Sequence, residues 1–232
     1  MSSLPVVLVC GLNCSARVYE PQLPSLWQFG PVQVADHRRG ETMTEIAASI
    51  LATAPPRFAL AGFSMGGYIA FEILRQAWTR VERLSLIDTA AGGERPEQTE
   101  RRNRFIEMTR AGKVAEREDI MWPTLVHESR LGDEALREIL KQMTQETGSD
   151  AYIRQQKAIM SRPGSREMLP TLEMKTLVIV GDSDQLTPPK AAEEMASLIP
   201  GAKLEVIPNC GHMATLERPD RVSKLLVEWL AE

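Results

Sequence analysis

Short β-branched runs alternate along this chain with segments of helical period, and few architectures accommodate that order. A parallel sheet needs a long crossover after each strand, and a helix packed on the sheet face is the usual one. Val6 to Val9 reads as a buried strand, followed by a short helix carrying Leu23, Leu26 and Trp27. Val32 to Ala35 is the next strand, and Ile46, Ala47, Ile50 and Leu51 form one face of the helix after it. The strand Phe58 to Ala61 leads into a helix with Ile69, Ala70, Ile73, Leu74 and Ala77 on one side, and Leu84 to Asp88 closes the first block.

From Gly92 to Thr171 the alternation stops. Helical stripes continue, one of Leu136, Ile139, Leu140 and Met143 and one of Tyr152, Ile153, Gln156, Ile159 and Met160, but no strand pattern interrupts them. Gly92-Gly93 and Pro163-Gly164 with Pro170 punctuate the ends. The alternation resumes with the strand Leu177 to Gly181, a helix with Thr187 as N-cap and Pro188 at its first position, a strand from Leu204 to Ile207, and a last helix from near Pro219 carrying Val222, Leu225, Leu226, Trp229 and Leu230. The expected fold is therefore α/β: a mostly parallel sheet of about six strands with helices on both faces. Residues 1–91 and 172–232 form the core, and residues 92–171 form a short helical cap inserted into it.

Composition narrows the partners. With 43% apolar residues in 232 and a net charge of only -4, the chain can bury a core and lacks the basic excess of a nucleic-acid or anionic-membrane binder. The densest basic cluster, Arg101, Arg102 and Arg104, stands beside Glu97, Glu100 and Glu107, the pattern of a solvated helix face. The start, Met1-Ser-Ser-Leu-Pro, shows no basic region before a long apolar run and no cleavage site, and no segment approaches the ~20 apolar residues of a membrane span. Cys10, Cys14 and Cys210 are an odd and sparse set, read as buried small hydrophobes in a reducing cytoplasm. No metal-ligand spacing and no G-x-G-x-x-G after a strand is found, so the expectation is no metal and no cofactor.

The segment Gly62-Phe63-Ser64-Met65-Gly66 places G-x-S-x-G between a strand and a helix. A serine on so tight a turn sits in strained backbone, and side chains at either glycine would meet neighbouring backbone. The turn lifts the Ser64 hydroxyl above the carboxyl ends of the strands and leaves free N–H groups at a helix N-terminus, where developing negative charge is stabilised.

A serine hydroxyl needs a base, and the base needs a carboxylate to hold its tautomer. Of three histidines, His212 lies in the loop between the last strand and the last helix, at the ligand-collecting end of an open α/β sheet. His37 follows a strand within Asp36-His37-Arg38-Arg39, and His127 sits in the cap, where it is a candidate substrate contact. For the acid, Asp182 is close enough to a strand end to serve the turn, Asp184 lies further out, and Asp88 ends the fourth strand; Asp184 is favoured.

These stretches resemble the α/β-hydrolase superfamily, in particular its small capped serine esterases similar to the cofactor-free haloperoxidase and enol-lactonase type. Val6 to Gly11, Asp36 to Gly40, Gly62 to Gly67, Leu177 to Pro188 and Gly211 to Pro219 carry the resemblance, which begins at the family's third strand. The order Ser, Asp, His is the family's own. The resemblance implies Asp184 as the acid, since the family places it three residues before a pair such as Thr187-Pro188. It also implies an oxyanion hole made by the N–H groups of Met65 and Leu12. The family carries His-Gly in the loop of Leu12 and this chain has Cys10-Gly11; backbone donors survive that change.

The implied reaction is hydrolysis of small to medium acyl esters through an acyl-enzyme, with Ser64 as nucleophile, His212 as base and Asp184 as its orienting acid. Met108, Met121, Trp122, Leu125 and Met160 suggest a mostly apolar pocket, with Trp122 as a substrate contact beside His127. An aspartate at the elbow would mark dehalogenases and epoxide hydrolases of this fold, and Ser64 speaks against them. Two alternatives stay open: a lactone or carbon-carbon bond hydrolase or lyase on the same triad, and a non-catalytic ligand-binding protein. The expected partner is a small-molecule ester, with no nucleic acid and no membrane, and the chain a monomer or homodimer.

Overall fold

The computed structural model describes residues 4–231. The leader reading of Met1 to Ser3 thus lies outside the described residues. Six strands form one sheet in the order β2-β1-β3-β4-β5-β6, every neighbouring pair parallel: β1 (Val6–Val9), β2 (Val32–Ala35), β3 (Phe58–Phe63), β4 (Val81–Ile87), β5 (Lys175–Gly181) and β6 (Lys203–Ile207). The chain steps outward from β1 to β2, returns to β3, and continues the other way. That reversal opens a crevice beside β1 and β3 at their carboxyl ends, where ligands gather in open α/β sheets.

The helices before β5 are α1 (Leu23–Leu26), α2 (Met43–Thr53), α3 (Met65–Ala77), α4 (Pro96–Arg110), α5 (Val114–Leu125), α6 (Glu134–Thr147) and α7 (Ser149–Met160). Those after it are α8 (Pro189–Leu198), α9 (Ala214–Glu217) and α10 (Pro219–Ala231). Alternate residues along β1 feed two separate cores, because successive strand side chains point to opposite faces. Val7 and Val9 pack with Ile46, Ile69 and Met195 from α2, α3 and α8. Val6 and Leu8 pack with Val222, Leu226 and Trp229 from α10. Each fully buried aliphatic of the α10 stripe contributes roughly 1.5–3 kcal/mol relative to exposure. A charge at Leu226 would abolish that face.

Between β4 and β5 the described residues are helical or irregular, with no strand. The stripes of α6 and α7 bury as their spacing predicts: Leu136 and Met143 join Trp122, while Ile159 joins the core beside α3. No helix among the described residues is long and apolar enough to cross a membrane.

Three local expectations differ from the structure. Thr187 does not cap α8: the cap position is Pro188, extended at φ -56 and ψ 157, and Pro189 is the first helical residue. Proline restricts the residue before it to extended backbone, so the pair Pro188-Pro189 delays the helix by one residue and frees the Thr187 hydroxyl. Trp27 does not share the buried face of α1 but stands 62% exposed just past its end. Strands β3, β4 and β5 are longer than the β-branched runs, since Gly62 and Phe63, Val81 and Lys175 all join the ladder.

Candidate active site

Ser64 links β3 to α3 with φ 53 and ψ -115, a left-handed conformation that costs a non-glycine residue about 1–3 kcal/mol. The surroundings hold it there. A Cβ on Gly62 would lie 2.4 Å from the Gly66 carbonyl oxygen, and one on Gly66 would lie 2.1 Å from that of Val9. The Ser64 N–H donates to the Ile87 carbonyl at 2.9 Å, and the Thr89 hydroxyl donates to the Ser64 carbonyl at 2.7 Å. Both ends of the strained peptide are thereby tied to β4 and the loop after it.

His212 Nε2 lies 2.9 Å from Ser64 Oγ, and its Nδ1 lies 2.8 Å from Asp184 Oδ2. A carboxylate only accepts, so Nδ1 carries the proton toward Asp184 and Nε2 is left to accept from the serine hydroxyl. Asp184 is 3% exposed and fully engaged. Its Oδ1 accepts from the N–H groups of Leu186 at 2.8 Å and Thr187 at 3.0 Å, and its Oδ2 also accepts from the Thr187 hydroxyl at 2.6 Å. Burial pushes its pKa up, but His212 and Thr187 outweigh that and hold it below the usual carboxylate value.

The other aspartates are occupied elsewhere. Asp182 accepts from the N–H groups of Asn209 and Cys210 and closes the turn between the β5 and β6 loops. Asp88 accepts from Gly181 N–H at 3.0 Å and Ala214 N–H at 3.1 Å, and so ties β4 to both the acid and the histidine loops. His37 is buried with Nε2 2.8 Å from the Gly11 carbonyl, and burial lowers its pKa. His127 bonds Ser129 through Nδ1 and lies off the cavity beside Ser64.

The loop of His212 is clamped to the end of α5. The His212 N–H donates to the Leu125 carbonyl at 3.0 Å, and a Cβ on Gly211 would lie 2.5 Å from the His127 nitrogen. Glu217, 2% exposed, accepts from the N–H groups of Gly211 at 2.9 Å, Met213 at 3.3 Å and His127 at 2.8 Å. Sequence reasoning gave it no role, since Glu217 ends the run Met213-Ala214-Thr215-Leu216 and is followed by Arg218-Pro219-Asp220, where a charged residue reads as exposed.

Ser64 and His212 open onto a cavity of about 130 Å³. Leu12, Met65, Met121 and Leu125 line it, and the N–H groups of Leu12 and Met65 take no acceptor among the described residues. Trp122 instead faces an adjoining small cavity, its indole N–H donating to the Leu131 carbonyl at 3.0 Å. Met108 and Met160 lie outside the lining. The lining is mostly apolar, as expected, with Arg101, Arg102, Arg117 and Glu118 forming a charged part of it. The basic cluster of α4 is not simply solvated. The Arg102 side chain, 11% exposed, bonds Glu94 at 2.7 Å and Gln156 at 2.8 Å, because α4 packs on α7 and covers one edge of the stripe.

The family model described as "Alpha/beta hydrolase family" matches residues 6–225. A solved thermophilic esterase from Thermogutta terrifontis, in a malate-bound structure, is 32% identical; the match covers 98% of this chain and 89% of that one with a TM-score of 0.88. The enol-lactonase of Burkholderia xenovorans LB400 shares the fold at 22% identity and a TM-score of 0.85, over 100% of this chain and 93% of that one. Among curated relatives, monoacylglycerol lipase ABHD6 of Mus musculus is 35% identical over 71 residues, 31% of this chain and only 21% of its own length.

Proposed function

The chain belongs to the alpha/beta hydrolase family, and from that premise we propose that it is a serine hydrolase cleaving carboxylic esters of small to medium acyl chains through an acyl-enzyme. The observation that carries the proposal is the unbroken hydrogen-bonded file from Asp184 through His212 to Ser64. Ser64 Oγ attacks the ester carbonyl while His212 Nε2 takes its proton. The resulting imidazolium faces Asp184, whose depressed pKa keeps it anionic. The tetrahedral oxyanion is received by the N–H groups of Met65 and Leu12, both without an acceptor among the described residues. His212 then protonates the leaving alcohol, and water activated by the same nitrogen releases the acid. Base catalysis and the oxyanion donors each supply roughly two to four powers of ten in rate.

Residues 92–171 act as a cap in this reading, since Met121 and Leu125 of α5 line the cavity above Ser64. The thermophilic esterase, 32% identical over nearly the whole chain, supports ester hydrolysis over the other reactions that such a triad performs. We place the protein in the cytoplasm on its three unpaired, buried cysteines.

The test is hydrolysis of p-nitrophenyl esters from acetate to decanoate by wild type and Ser64→Ala. Turnover is expected for the wild type and a loss of about 10⁴ or more for the variant. A folded wild type that hydrolyses none of them and resists a serine-directed phosphonate overturns the proposal.

A further inference from the structure

Arg101, Arg102 and Arg117 line the cavity where α4, α5 and α7 meet, with Arg162 joined to Arg102 through Glu94, and these four arginines divide into two kinds. Arg102 and Arg162 share the carboxylate of Glu94, at 2.7 and 2.5 Å, and so have their counter-ion. Arg117 and Arg101 have none. The Arg117 guanidinium is 2% exposed, lies 3.7 Å from the centre of the Tyr152 ring, and donates through Nη1 to the Thr109 hydroxyl at 2.8 Å. Its Nη2 is buried with no hydrogen-bond partner, and Arg117 forms no ion pair among the described residues. Arg101, an exposed residue, also lines the cavity and makes no hydrogen bond or ion pair among the described residues.

A buried guanidinium is held in place elsewhere in this protein by a carboxylate, and an orphaned charged donor facing a cavity is unfavourable unless something fills it. Glu118 is the one acid among the lining residues, and its Oε1 is likewise buried without a partner. Glu118 also faces the adjoining cavity toward Lys141 and Arg137. With Glu94 it carries two negative charges against four on Arg101, Arg102, Arg117 and Arg162, an excess of two positive charges that a bound carboxylate would reduce. Guanidinium and carboxylate match as planar hydrogen-bonding partners.

We propose that the substrate is an ester carrying a second, free carboxylate, which Arg117 binds with Arg101 in support while the scissile carbonyl lies at Ser64. The inference rests on the ester-hydrolase reading of the same cavity and adds the class of substrate. The reaction is unchanged: the ester acyl–oxygen bond breaks, water supplies the new hydroxyl and proton, and the distal carboxylate takes no part in bond making. Arg117 serves binding and orientation.

The experiment compares matched pairs by pH-stat. Monoethyl glutarate against ethyl pentanoate places the charge on the acyl side, and 4-acetoxybutanoate against butyl acetate places it on the alcohol side. Wild type is expected to favour the charged member of one pair in kcat/KM by about ten- to a hundredfold, the range of a charge-assisted hydrogen bond. That preference is expected to collapse in Arg117→Met and to weaken in the more exposed Arg101→Met, which guards against loss of folding at Arg117. Independently, calorimetry of glutarate with Ser64→Ala protein is expected to show binding that the added Arg117→Met change removes. Active hydrolysis with no preference in either pair overturns the substrate class and leaves the hydrolase standing. If no ester is turned over, the hydrolase reading falls, and the calorimetry alone decides: Arg117-dependent binding sustains an anion site, and absence of binding overturns it.

Discussion

His37 Nε2 lies 2.8 Å from the carbonyl oxygen of Gly11, one residue before the proposed oxyanion donor Leu12. A trans peptide is planar with its carbonyl and the following N–H pointing opposite ways. Anchoring the Gly11 oxygen therefore aims the Leu12 N–H in the other direction, and the Cys14 N–H at 3.2 Å reinforces the anchor. Loss of the anchor in His37→Leu is expected to lower kcat about tenfold with little change in KM, less than the 10²–10³ of a deleted donor. His37→Gln, which keeps an N–H, should recover part of it. Steady-state kinetics on one ester checks this.

Ser64 sits at φ 53, so its side chain carries a conformational cost apart from its chemistry. Ser64→Gly and Ser64→Ala should both be inactive, yet the glycine variant should be more stable by about 1 kcal/mol in urea unfolding, because glycine adopts that conformation without strain.

The Thr187 hydroxyl donates to Asp184 Oδ2 at 2.6 Å. Asp184 is held below its ordinary pKa in the fold, so the stability it contributes is complete above the unfolded value of about 3.9 and is lost as pH falls through the lower folded value. Thr187→Val raises the folded value and shrinks that contribution. Acid unfolding followed by circular dichroism between about pH 6 and pH 2 should begin at higher pH in Thr187→Val, with a loss of roughly 1.5–3 kcal/mol at neutral pH. Thr187→Ser should stay close to wild type.

Glu94 is buried between Arg102 and Arg162, and Arg162 also stacks 4.0 Å from the centre of the Tyr68 ring. Glu94→Gln leaves two buried guanidinium groups without a counter-ion, which should cost about 3–5 kcal/mol. A fall in Tm of roughly 10 °C by calorimetry is the expected reading.

The sheet was legible because its central strands are largely buried on both faces and so read as runs such as Val6-Val7-Leu8-Val9. The elbow and the loops of Asp184 and His212 were legible because each sits at a strand end. Thr187 was misread as a cap, since its true partner is set by how the loop curls back onto Asp184. Arg117 sits one and two turns before Met121 and Leu125, a spacing that places an arginine on the cavity face of α5. What no periodicity shows is that the face of α7 opposite supplies Tyr152 and no acid. Contacts between helices joined by loops are set in three dimensions, and the charge balance of the cavity follows from them.

The bond from His212 N–H to the Leu125 carbonyl, with Glu217 gripping His127 beside it, bears on how such a protein diversifies. A segment exchanged between relatives to change substrate preference would have to reproduce the end of α5 at that contact, or the imidazole would lose its register with Ser64. Recombination inside α4, α6 or α7 is free of that constraint. New specificities should therefore be reached by replacing pieces of the segment while the Leu125–His127 junction is inherited intact.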